Sequence, residues 1–129
     1  MTIENRNINV WGDSIMKGIV RDETPDGYRV LADNCVQRFA LSTGASIVNH
    51  ASFGMTTVKA VDRIARSVTR RKPQEDDIVL IEFGGNDCDF RWDEISASPD
   101  EAHEPKTPLS LFSANMQAII DTFKSFRIT

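Results

Sequence analysis

Cysteine is scarce: of 129 residues, only Cys35 and Cys88 are cysteines. They lie far apart and fit neither a disulfide framework nor the ligand spacing of a zinc site, so both are expected to be reduced bystanders. Histidine is equally scarce, at His50 and His103. Long apolar runs are missing. None approaches the roughly 18 residues that span a bilayer, so no membrane contact is expected. A strong charge bias is missing too, since 15 Lys+Arg stand against 19 Asp+Glu for a net charge of -4. That balance gives no general electrostatic reason to bind nucleic acid or an anionic membrane. The N-terminal stretch Met1 to Asn9 alternates polar and apolar residues and carries no apolar h-region. A secretory signal is therefore not expected, and the expected location is cytoplasmic.

What is present is ordinary globular material. Hydrophobic residues make up 40% and charged residues 26%, which excludes wholesale disorder. The length suits one domain, 1–129. Ile8 to Trp11 is a short apolar run ending at Gly12-Asp13-Ser14, the pattern of a buried strand and a sharp turn. Ile15 to Val20 suits a short helix, and Arg21 to Gly27 a loop marked by Pro25 and Asp26-Gly27. From Tyr28 to Thr43, apolar residues at Tyr28, Leu31, Ala32, Cys35, Val36, Phe39 and Ala40 predict one amphipathic helix, stopped by Gly44.

Ala45 to Val48 reads as a second strand, followed by the loop Asn49 to Gly54. A second long helix starts at Thr56 or Thr57, with Val58, Val61, Ile64, Ala65 and Val68 as its stripe. Arg70-Arg71-Lys72 then suits the negative end of the helix dipole, and Pro73 closes the element. Ile78 to Phe83 is nearly continuous in apolar character, as in a strand covered on both faces. It ends at Gly84-Gly85-Asn86-Asp87. A polar loop with one short helical turn is expected over Asp89 to Pro108. A third long helix follows over Leu109 to Phe126, with Leu111, Phe112, Met116, Ile119, Ile120 and Phe123 inward.

The order β-α-β-α-β-α implies a parallel sheet with right-handed crossovers. Functional loops of such sheets gather beyond the carboxyl ends of the strands. Three loops meet that description: Gly12 to Ser14, Asn49 to Gly54, and Gly84 to Asp87. Ser14 can present a hydroxyl to a cleft, although a free hydroxyl is a poor nucleophile without an adjacent base. Gly54 can expose a backbone N–H, and Asn86 offers a side-chain NH2. Such donors around one point make an oxyanion hole, worth about 3 kcal/mol per donor in the transition state.

Gly12-Asp13-Ser14-Ile15, Gly54 and Gly84-Gly85-Asn86-Asp87, in this order and each after a strand, resemble the first three sequence blocks of the SGNH hydrolases, also called GDSL-type esterases and lipases. The resemblance implies a three-layer α/β/α fold with a parallel, flavodoxin-like sheet. It also implies an ester hydrolase acting on small acyl or O-acetyl esters. Ser14 would be the nucleophile, with its own N–H, the Gly54 N–H and the Asn86 side chain as oxyanion donors. Asp13 would order the loop. No cofactor and no metal are implied, and the partner would be a small-molecule ester.

The family's last block, an Asp-x-x-His supplying acid and base, normally follows two further strands. The chain is expected to hold only the first two-thirds of that domain, without the C-terminal strands and helix. One Asp-x-x-His does occur, Asp100-Glu101-Ala102-His103, but it falls in the loop after the third strand, too early for that block. It also spells a helicase box, yet no GxxxxGK[ST] phosphate loop accompanies it. His50 stands at the correct end of the sheet and reads more readily as a structural or substrate-lining residue. Without a base, turnover would fall by on the order of 10⁶-fold. The third strand would be an exposed edge, open to self-association. Two other readings stay open: a non-catalytic binding protein on the same scaffold, and a nucleotide- or phosphate-binding module using Gly12 to Gly18.

Overall fold

The computed structural model describes every residue except Met1, Thr2, Glu4, Asn5, Thr24, Asp26, Arg127 and Thr129. Part of the alternating N-terminal stretch, Asp26 of the Asp26-Gly27 turn, and part of the expected start of a fourth strand therefore lie outside the described residues. Three parallel strands form the central sheet: β1 (Asn7–Trp11), β4 (Ser46–Asn49) and β5 (Ile78–Ile81), in the order β4-β1-β5. Ile8 pairs with Ile47 on one side and with Ile78 on the other. Helices α2 (Cys35–Thr43), α3 (Thr57–Arg70) and α5 (Leu109–Lys124) flank this sheet. Three short elements complete the fold: α1 (Ser14–Lys17), α4 (Trp92–Ala97) and the antiparallel hairpin of β2 (Ile19–Arg21) with β3 (Tyr28–Val30).

Strand alternation divides the core in two. Odd positions of β1 face α3 and α5, where Trp11 packs with Ile64, Val68, Ile119 and Phe123. Even positions face α2, where Ile8 and Val10 pack with Val36 and Ala45. This is the expected α/β/α layering of a parallel sheet.

Several local expectations give way to tertiary context. The helix expected over Tyr28 to Thr43 begins only at Cys35. Tyr28–Val30 pairs instead with Ile19–Arg21, and the Asp22 N–H donates to the Gly27 carbonyl at 3.0 Å to close the hairpin. An aromatic and a β-branched residue sit well on a paired strand. Asn34 then starts the helix: its side chain accepts from the Val36 and Gln37 N–H groups at 3.1 Å each. In α3 the buried residues are Thr57, Ala60, Ile64 and Val68, while Val58 and Ala65 face outward. In α5 only Ile119 and Phe123 are buried, and Leu111 is exposed. Strand β5 is shorter than expected and is not covered on both faces. Leu80 is 40% exposed: among the described elements the short helix α2 alone lies over that side, and β5 is one of the sheet's two edges.

Candidate active site

The three loops predicted from the sequence meet at the carboxyl ends of β4, β1 and β5. Gly12 opens the first. A Cβ there would stand 2.9 Å from the Cβ of Met16 and 3.0 Å from the Glu82 carbonyl oxygen, so only glycine lets the turn close. Asp13 follows, 2% exposed, and its carboxylate accepts the Ile15 N–H at 2.8 Å. This caps α1 and sets Ser14 as its first residue. Among the described residues, no side chain hydrogen-bonds to the Ser14 hydroxyl.

The second loop is pinned from both sides. The Ser52 N–H donates to the Gly12 carbonyl at 3.1 Å, and the Asn49 side chain donates to the Met16 carbonyl at 2.8 Å. Gly54 has φ 64°, a left-handed value that favours glycine, and nothing lies within 4 Å of the position a Cβ would take. Its neighbour Phe53 is 59% exposed and packs on Tyr28 of the hairpin at 5.1 Å.

The third loop ties the other two together. The Asn86 NH2 donates to the Met55 carbonyl at 3.0 Å and makes a longer 3.4 Å contact with an Asp13 carboxylate oxygen. The structure thus brings Asn86 beside Asp13 on one side and beside the Gly54–Met55 segment on the other.

Asp87, the last residue of the third block and given no role of its own from the sequence, anchors the arrangement. It is 2% exposed, and its carboxylate accepts the Thr57 N–H at 3.0 and 3.1 Å and the Thr57 hydroxyl at 2.6 Å. Asn115 of α5 donates to the same hydroxyl oxygen at 3.2 Å. The clamp joins the third loop to the start of α3 and to α5. A Thr-Thr pair at a helix start and an acid directly after Asn86 are its only trace in the sequence. Glu82 was likewise unmarked. It accepts the Asp13 N–H at 3.4 Å, and burial pushes its pKa above the ordinary carboxylate value.

Both histidines are engaged elsewhere. The His50 ring stacks on Trp11 at 4.2 Å, and its Nε2 lies 3.1 Å from the Asn9 side-chain oxygen. Burial lowers its pKa, helped by the charges of Arg63 and Arg71. The Nε2 of His103 lies 2.8 Å from the Ser98 carbonyl oxygen, within the loop that contains α4. Among the described residues, no three His, Cys, Asp or Glu side chains gather as a metal site, and no helix is long and apolar enough to cross a membrane.

Comparison with known proteins bears on the fold and the family. No curated protein matches the chain in sequence. In structure it is similar to AlinE4, an SGNH-hydrolase family esterase, with TM-score 0.63 and 22% identity over 97% of this chain and 56% of that one. It is similar to a lipase/acylhydrolase from Enterococcus faecalis, with TM-score 0.60 and 26% identity over 95% and 54%. The esterase EstA from Pseudoalteromonas sp. gives TM-score 0.61 and 17% identity over 96% and 56%. The chain thus spans little more than half the length of these structures. The profile of the GDSL-like lipase/acylhydrolase family matches residues 10–128, and the chain belongs to that family.

Proposed function

We propose that this chain carries the nucleophile and the oxyanion hole of a serine ester hydrolase acting on acyl esters. The observation that carries the reading is the hydrogen-bonded convergence of the Ser14, Gly54 and Asn86 loops at one end of the sheet. In this reading the Ser14 oxygen attacks the ester carbonyl, and its proton passes to a general base that neither His50 nor His103 supplies from where it stands. The carbonyl oxygen gathers negative charge between the Ser14 N–H, the Gly54 N–H and the Asn86 side chain. Collapse expels the alcohol, and water then releases the acyl group from Ser14. One Asn86 proton holds the Met55 carbonyl. The other makes only the long contact to Asp13, which leaves it as the spare donor. Small acyl and O-acetyl esters are the first substrates to try.

The test is hydrolysis of p-nitrophenyl acetate. Ser14→Ala is expected to abolish it, and Asn86→Ala to lower kcat by roughly 10²–10³-fold. Turnover that survives Ser14→Ala would overturn the reading. One observation favours a second reading, non-catalytic binding of an ester, sugar or acyl group on the same scaffold: both histidines are committed away from Ser14. Ligand retention without Ser14-dependent turnover selects that reading.

A further inference from the structure

A cavity of about 250 Å³ lies between the sheet and the C-terminal end of α3. Strand β1 lines it through its odd positions, Asn7, Asn9 and Trp11. An asparagine in the middle of the central strand, on a helix-covered face, is a poor choice for packing alone, since strands favour β-branched and aromatic residues there. The Asn9 side-chain oxygen lies 3.1 Å from His50 Nε2. Its NH2 has no hydrogen-bond partner among the described residues. No side-chain polar atom among them is both buried and unpartnered, so this donor opens onto the cavity. The lining also holds two cations, Arg71 and Lys72, and one acid, Asp77. Neither cation forms an ion pair among the described residues. Asp77 is 7% exposed and closes its own turn, its carboxylate accepting the Gln74 N–H at 3.0 Å. Burial and then the charges of Arg63 and Arg71 lower the His50 pKa, so positive potential reaches the half-buried ring. Trp11, Val68, Val79 and Phe123 supply apolar wall.

The chemistry of this lining is selective. It carries one positive charge in excess, so a cation is repelled. A phosphate dianion brings one charge too many beside Asp77. A purely apolar molecule would bury the Asn9 NH2 without a partner. A monoanion with a carbon body satisfies both halves of the wall. At the ~30 Å³ that a water molecule occupies in the liquid, the space takes about eight non-hydrogen atoms. We propose that the cavity binds a small organic monocarboxylate of about that size, with its carboxylate held by Arg71, Lys72 and the Asn9 NH2 and its carbon body on Trp11, Val79 and Phe123. This goes beyond the hydrolase reading and does not depend on it, since Ser14, Gly54 and Asn86 are absent from the lining.

The test uses the full chain carrying Trp92→Phe, which leaves Trp11 in the cavity wall as the single tryptophan. Trp92 is 65% exposed, so its replacement leaves the core intact. Hexanoate is titrated at fixed low ionic strength while Trp11 emission is followed. A saturable change is expected. 1-Hexanol, of the same shape without the charge, is expected to bind at least about tenfold more weakly, and hexylammonium to leave the emission unchanged. Arg71→Gln and Lys72→Gln, made separately at exposed positions, are each expected to weaken hexanoate by about tenfold or more, with far-UV circular dichroism unaltered. The absence of a saturable response overturns the proposal. So does hexanol binding as tightly as hexanoate, or an affinity unchanged in both charge variants. A response lost in Asn86→Ala but kept in Arg71→Gln puts the carboxylate in the candidate active site and overturns the proposal as well.

Discussion

Asp87 holds three hydrogen bonds from one threonine inside the fold. Removing it leaves the Thr57 N–H and hydroxyl without their acceptor in a buried position. Asp87→Ala is expected to destabilise the chain by about 2–4 kcal/mol, read from the shift of its urea midpoint. His50 and Glu82 make opposite pH predictions. His50 has a folded pKa below its ordinary 6.5, so its contribution is complete above that value and is lost as pH falls through the lowered pKa. His50→Phe keeps an aromatic ring on Trp11 and is expected to flatten the acid side of the Tm profile below pH 6.5. Glu82 has a folded pKa raised above 4.5, so its contribution is complete below that value and is lost as pH rises through the raised pKa. Glu82→Gln is expected to raise Tm at neutral pH and to leave it unchanged in acid. A Tm profile unaltered by either variant contradicts the assignment. The turns that hold Ser14 and Gly54 were legible because in each a short apolar run gives way to glycine and polar residues. Asp87 and Glu82 were not, since a carboxylate in sequence does not say whether it is buried.

Helix α2 shows how far an apolar stripe can mislead. Steps of three and four ran from Tyr28 through Ala40, but the first three residues of that run form a hairpin strand. Cross-strand pairing with Ile19–Arg21 satisfies backbone groups that a helix would otherwise satisfy locally. What remains of the helix is nine residues with Val36 alone buried, so its start depends on the Asn34 cap. Asn34→Ala is expected to cost about 1 kcal/mol, measured by chemical denaturation, and a neutral effect would show that α2 is held by packing alone. Helices α3 and α5 were legible in extent to within a few residues, because each is long and strongly periodic. Their inward faces were less so. Val58 and Leu111 fit the apolar stripe, yet the crossing of α3, α5 and the sheet leaves both outside.

At the scale of the whole molecule, β5 is one of the two edges of the central sheet, and its Leu80 is 40% exposed. An apolar edge strand presents unpaired backbone groups to other chains. Self-association is therefore expected on sedimentation, and Leu80→Lys is expected to shift the distribution toward monomer. A monodisperse monomer before substitution contradicts this. The edge position followed from strand order, which the βα alternation and the family resemblance made legible. The hairpin that places Tyr28 against Phe53 beside Gly54 did not follow from them.

The alternation of strands and helices, the glycines at the strand ends and the spacing of three loops were determined by the sequence alone. They are local signals: backbone conformation, side-chain period and the need for small residues at tight turns. The tertiary structure decided which polar groups meet. Asn86 with Met55, Asp87 with Thr57 and Asn115, and His50 with Trp11 and Asn9 are long-range pairs. Each is created by the packing of elements whose register no local pattern records.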